Sequence, residues 1–124
     1  MIYLDTHVVV WLYGGHLDLI STGARSLIEG NDLMISPMVG LELEYLYESG
    51  RTAEPAAPVI QALAREVGLK RCDLPFADVV DAALLESWTR DPFDRLVVAQ
   101  ARLRGASLLT KDSAIREHYG DAIW

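Results

Sequence analysis

The chain alternates between short apolar runs and longer stretches in which apolar positions return every three or four residues. The short runs are the mark of strands buried on both faces, and the longer ones of helices with one face turned to a core. Ile2-Tyr3-Leu4 reads as a buried strand, and Thr6 is placed to cap a helix through Tyr13 that Gly14-Gly15 stops. Ser21 caps a second helix ending near Gly30, and Leu33-Met34-Ile35 is the next strand. Ser36-Pro37, a capping serine with proline at the first helical position, opens a helix to about Ser49. A helix over Ala56 to Val67 follows, then a strand within Leu69 to Leu74 and a helix from Pro75 to about Trp88. Asp91-Pro92 opens a helix that ends near Gly105. Ser107-Leu108-Leu109 is a strand, Asp112 to Tyr119 a short helix, and Ala122-Ile123-Trp124 a last strand.

Strands separated by helices imply an α/β fold, with a mainly parallel central sheet of about five strands flanked by helices. Only Gly50 to Pro58 interrupts the pattern, and it is too short to divide domains, so residues 1–124 are expected to form one domain. In parallel sheets ligands bind beyond the carboxyl ends of the strands, which directs attention to strand-to-helix junctions.

Acids stand at those junctions. Asp5 ends the first strand, and Asp112 follows the strand ending at Leu109 and Thr110. Asp94 lies in the first turn of the helix opened by Pro92, and Glu42 lies about two turns into the helix after the second strand. Helical spacing puts Glu42 on one stripe with Met38, Val39, Tyr45 and Leu46, so it interrupts a face expected to look inward; Glu44 is its rival and, with Glu48, is expected to be solvated. Each acid has a structural alternative. Asp5 and Asp112 can cap helices, Thr110 or Ser113 can cap the last one, and Asp91 with Asp94 has the spacing of a capping box.

What weighs for chemistry is the set. Four acids gathered at one sheet edge would repel one another, and some would protonate at neutral pH, unless divalent cations neutralised them. Mg²⁺ or Mn²⁺ favours such oxygen donors, and a bound ion lowers the pKa of water and screens charge developing on phosphate. No Ser-His-Asp set, Gly-rich phosphate loop or zinc motif among His7, His16 and His118 competes with this reading.

Composition adds limits. The chain has 124 residues, 51% hydrophobic and 23% charged, so it is expected to build its own core. The net charge of −7, from 11 basic and 18 acidic residues, argues against binding nucleic acid over a broad basic surface. No window suits a membrane span, the first residues are unlike a secretory leader, and the lone Cys72 suits a reducing cytoplasm.

Several segments together resemble the PIN domain, and within it the VapC-type toxin ribonucleases of bacterial toxin–antitoxin pairs. They are Met1 to His7 with Trp11, Ile35-Ser36-Pro37 leading to Glu42, Asp91-Pro92-Phe93-Asp94-Arg95 with Ala99-Gln100-Ala101, Leu108 to Asp112, and Tyr119-Gly120 to Trp124. The resemblance covers nearly the whole chain. It implies Mg²⁺- or Mn²⁺-dependent endonucleolytic cleavage of RNA, with Asp5, Glu42, Asp94 and Asp112 as the metal-binding set. It also implies restraint by a cognate VapB-type antitoxin and a homodimer. The sequence departs from relatives at Thr89, where histidine is frequent, and at Gly40-Leu41, where tryptophan often precedes the glutamate. Arg95 and Lys111 flank the acids as candidate phosphate contacts, and Thr110 could bond a ligand. Two other readings stand beside this one. The first is a non-catalytic partner-binding module with an acidic groove. The second is a haloacid-dehalogenase-like phosphatase using Asp5, against which His7 stands where a second aspartate is usual.

Overall fold

A computed structural model describes all of residues 1–124. Its strands are β1 (Ile2–Leu4), β2 (Leu33–Ile35), β3 (Lys70–Arg71), β4 (Ser107–Leu109) and β5 (Ala122–Ile123). They form one sheet in the order β3-β2-β1-β4-β5, and every neighbouring pair is parallel. Seven helices connect and cover them: α1 (Thr6–Gly14), α2 (Thr22–Gly30), α3 (Pro37–Glu48), α4 (Ala56–Val67), α5 (Phe76–Ala83), α6 (Pro92–Leu103) and α7 (Ser113–His118). This is the α/β architecture the hydrophobic pattern predicts.

β1 is the centre of the molecule. Ile2 pairs with Leu33 on one side and Ser107 on the other, while Leu4 pairs with Leu109. All three residues of β1 are buried, which explains why the strand is an unbroken apolar run rather than an alternating one. Its flanks and the helices around it contribute Val8, Val9, Ile35, Val39, Val98, Leu108 and Ile115 to a single large core. The edge strand β3 is exposed, and that is why it shortens from the expected six-residue stretch to Lys70–Arg71. Beyond Arg71 the ladder continues only through the Cys72 amide, which donates to the Ile35 carbonyl at 2.8 Å.

The chain runs outward from β1 to β2 and β3, then returns to place β4 on the opposite side of β1. The two directions part between β1 and β4, and in parallel sheets the carboxyl ends of the strands at such a point are where a crevice forms.

The helix after Pro75 and the role of Arg95 need correction. The helix after Pro75 ends at Ala83, not near Trp88. Glu86 turns inward instead, where its carboxylate accepts from Arg102 Nε and Trp88 Nε1, both at 2.7 Å, and its carbonyl accepts from Arg95 Nε at 2.8 Å. A buried glutamate with these partners is satisfied better than a solvated helical one, so the chain leaves the helix. Arg95 is thereby a fastener of this loop and not a free cation beside the acids. The aromatic residues Tyr13, Tyr45 and Tyr47 are exposed, whereas Trp11 packs edge-on against Trp124 at 5.8 Å. No helix is long and apolar enough to cross a membrane.

Candidate active site

The crevice is built by the residues that end β1 and β4 and begin α1, α3, α6 and α7. Asp5, not Thr6, is the N-cap of α1: its Oδ1 accepts the Thr6 amide at 2.8 Å. Its backbone amide donates to the Leu109 carbonyl at 3.0 Å, so the sheet ladder itself sets its position. The second oxygen, Oδ2, accepts from the Thr110 hydroxyl at 2.6 Å. Thr110 in turn accepts the Asp112 amide at 3.0 Å, and Asp112 caps α7 by accepting the Ile115 amide at 3.0 Å. One threonine thus ties the end of β1 to the start of α7.

Thr6 makes the matching link on the other side. Its buried hydroxyl donates to Glu42 Oε1 of α3. Thr6 and Thr110 are both fully buried polar side chains, and each is there to hold a carboxylate.

Glu42 is half-buried at the margin of the inward face of α3, not at its centre. The buried residues of that helix are Val39 and Leu43, and Tyr45, expected on the same inward stripe, is exposed. Glu44 is not solvated as expected: it is half-buried and accepts the Ala56 amide at 3.3 Å. There it supplies the side-chain cap that Pro55 cannot give to α4. Glu44 therefore belongs to helix α4's start, and Glu42 alone of the two faces the crevice.

At α6, Asp91 is the cap, with Oδ1 accepting the Phe93 amide at 2.8 Å and the Asp94 amide at 3.3 Å. The capping box is not closed. The Asp91 amide donates to the Thr89 hydroxyl at 3.2 Å, which leaves the Asp94 carboxylate free of capping duty. Tyr45 and Phe93 meet edge to face at 5.4 Å and bring α3 and α6 together beside Glu42 and Asp94.

The electrostatics register the crowding. Burial, then the negative charges of Asp91, Asp5, Asp112 and Glu42, push the Asp94 carboxyl up to about 7. Burial also raises Asp5, against the pull of its bonds from Thr110 and Thr6. Glu42 is raised by burial and by Asp5 and Asp91, with the Thr6 bond and His7 pulling the other way. Asp5, Glu42 and Asp94 each feel acids that arrive from distant parts of the sequence. No group of three or more of these side chains is closed into a metal-binding geometry. The donor set is nevertheless oxygen-only, partly desolvated and short of positive charge, which is what a hard divalent cation fits.

Sequence reasoning missed Thr6 as more than a cap and gave His7 no place. Thr6 carried one signal, a hydroxyl next to Asp5 at the end of an all-apolar strand. His7 is exposed and near enough to pull both Asp5 and Glu42 downward.

The model of the PIN domain matches residues 2–121, and the chain belongs to the PIN-domain family. It is 31% identical over 122 residues to Ribonuclease VapC22 of Mycobacterium tuberculosis, across 94% of this chain and 91% of that protein. Among solved structures it resembles VapBC2 from Rickettsia felis bound to a DNA fragment from their promoter. That match has a TM-score of 0.69 at 21% identity, covering 99% of this chain and 96% of the other. VapBC-1 from nontypeable Haemophilus influenzae gives a TM-score of 0.63 at 19% identity, over 100% and 96% of the two chains. At these identities the structures bear on the fold, which they share along its whole length.

Proposed function

We propose that this chain is a metal-dependent endoribonuclease of the toxin–antitoxin kind, acting on RNA in the cytoplasm and restrained by a VapB-type antitoxin. The named relative is a ribonuclease, and the solved neighbours are toxin–antitoxin assemblies. The observation that carries the chemistry is the convergence on Asp94, whose carboxyl is raised by burial and then by the charges of Asp91, Asp5, Asp112 and Glu42.

Asp5, Glu42, Asp94 and Asp112 would hold Mg²⁺ or Mn²⁺. Such an ion, when bound, supplies an acidified water and neutralises charge developing on a phosphodiester. The chain's own contribution is placement. Thr110 holds Asp5 from β4, Thr6 holds Glu42 from α1, and the cap of Asp91 leaves the Asp94 oxygens free. With its carboxyl raised to about 7, Asp94 holds its proton more tightly than an ordinary aspartate and would have to release it to act as a ligand. A homodimer is part of the same family reading.

The test is RNA cleavage by purified Asp5→Asn and Asp94→Asn proteins with Mg²⁺ or Mn²⁺. Each variant keeps its shape and loses a charge, so cleavage is expected to fall by at least about a hundredfold while the fold survives. Wild-type rates in both variants, or undiminished cleavage by wild type in EDTA, would overturn the proposal.

A further inference from the structure

Glu86 is a buried acid to which the proposed chemistry gives no part. It is 4% exposed, and it is the only buried residue from Leu84 to Leu96, the segment that carries Asp94. On α6 the fully buried stretch begins at Val97, one turn beyond that acid. Core packing therefore stops short of Asp94. Apart from the Tyr45–Phe93 contact, the segment is fastened to the body by the bonds around Glu86.

Those bonds reach two helices. The Glu86 carbonyl accepts from Arg95 Nε at 2.8 Å, and its Oε1 accepts from Arg102 Nε at 2.7 Å. Arg95 and Arg102 stand two turns apart on one face of α6, so Glu86 grips that helix at two points, the first of them next to Asp94. Arg102 carries the connection on to α7. Its Nη2 donates to the His118 carbonyl at 3.2 Å, and its guanidinium lies 4.7 Å from the centre of the Tyr119 ring. The other carboxylate oxygen, Oε2, accepts from Trp88 Nε1 at 2.7 Å, and the Trp88 ring stacks on His118 at 4.8 Å and 7°. His118 ends the helix that Asp112 caps. One buried carboxylate is thus joined to both helices whose first turns present Asp94 and Asp112.

An apolar side chain could anchor the segment too, but hydrocarbon contact has no direction. A carboxylate with each oxygen committed to a separate charged or ring N–H donor favours one arrangement of the parts.

We infer that Glu86 is a positioning residue: by locking the start of α6 to the end of α7, it holds Asp94 and Asp112 in the fixed relation that sharing a divalent cation requires. The inference rests on the metal-dependent reading above and deepens it. The effect passes through Arg95, Arg102 and Trp88.

Two measurements test this on Glu86→Gln, which keeps the size of the side chain but turns one of its two acceptors into a donor facing another donor. Val59→Ala, a core change in α4, serves as a variant that loses stability and keeps the knot. In the first measurement, amide hydrogen exchange is followed in EDTA, each protein held equally far below its own Tm. The Asp94 and Ile115 amides, which Asp91 and Asp112 accept, are expected to exchange about tenfold faster in Glu86→Gln than in Val59→Ala. Equal rates in the two variants overturn the proposal.

In the second, Mn²⁺ affinity is read by electron paramagnetic resonance of the free ion, and kcat and KM on a short single-stranded RNA that wild type cleaves. Glu86→Gln is expected to bind Mn²⁺ about tenfold more weakly and to lose kcat, with KM for RNA changed by less than about twofold. Val59→Ala is expected to match wild type in all three. Wild-type Mn²⁺ affinity in Glu86→Gln, or an equal loss in both variants, overturns the proposal. Should Glu86→Gln not fold, Trp88→Phe, which removes only the Nε1 donor, is read by the same criteria. If wild type neither takes up Mn²⁺ nor cleaves RNA, the ribonuclease reading has failed, and the exchange rates still decide whether Glu86 holds the two helix starts.

Discussion

At the scale of single residues, both oxygens of Asp5 are engaged by protein donors, one by the Thr6 amide and one by the Thr110 hydroxyl. Thr110→Val keeps the shape and removes the donor. It is expected to cost about 1–3 kcal/mol in urea unfolding, because a half-buried carboxylate loses its partner, while Thr110→Ser retains most of that stability. A valine variant as stable as wild type would show that the hydroxyl is dispensable. Titration gives a second expectation. Asp94 has its proton bound more tightly in the folded chain, near 7, than at its ordinary 3.8. Protonation therefore favours folding most at low pH, and that advantage fades as pH climbs through the interval between the two values. In EDTA the Tm is expected to fall between about pH 5 and about pH 8, and Mn²⁺ is expected to raise it more at the higher pH. A Tm rising over that range would reverse the assignment. Asp5, Asp94 and Asp112 stood out because each closes a strand or lies at the start of a helix, and Glu42 because it interrupts an apolar stripe. Their holders did not: Thr6 finds Glu42 across 36 positions, and Thr110 finds Asp5 across 105. Spacing along a chain carries no trace of such pairs.

At the scale of elements, most boundaries were readable because caps and breakers announce them. Ser21, Ser36, Asp91 and Asp112 all cap the helices they precede, and Gly15 and Gly68 end helices at positive φ. The errors fell where a tertiary partner outweighed the local pattern. Glu86 pulled the end of α5 out of its helix, and the edge position of β3 left it short. The departure at Gly40 has an element-level cause. A Cβ there would meet Ile60 Cδ1 of α4 at 3.3 Å, so the missing side chain lets α3 and α4 lie close. Gly40→Ala is expected to be near neutral, as the helix gain of about 0.5–1 kcal/mol offsets a small shift of Ile60. Gly40→Leu is expected to cost about 1–3 kcal/mol by forcing the helices apart. A stabilising leucine in thermal unfolding would contradict that packing.

At the scale of the whole molecule, parallel strands in alternation with helices made the architecture legible from periodicity alone. The order β3-β2-β1-β4-β5 was not, because nothing in a buried apolar run names its neighbour. The net charge of −7 also belongs to this scale. On the ribonuclease reading, a chain of this charge repels RNA unless divalent ions mediate, so RNA binding is expected to weaken sharply in EDTA, as a filter-binding titration would read. Asp94→Asn removes part of that repulsion and is expected to bind RNA in EDTA more tightly than wild type does. Weaker binding by the variant would contradict a repulsive role for the crevice.

The link between Asp5 and Thr110 also bears on the birth of the chain. A ribosome that has released Asp5 must add 105 more residues before its holder exists, about 5–20 s of synthesis at ordinary bacterial rates. Until then the central strand lacks a neighbour and the first acid lacks its clamp. A chain that stops before Thr110 therefore lacks both the fourth strand's pairing with β1 and the hydroxyl that holds Asp5.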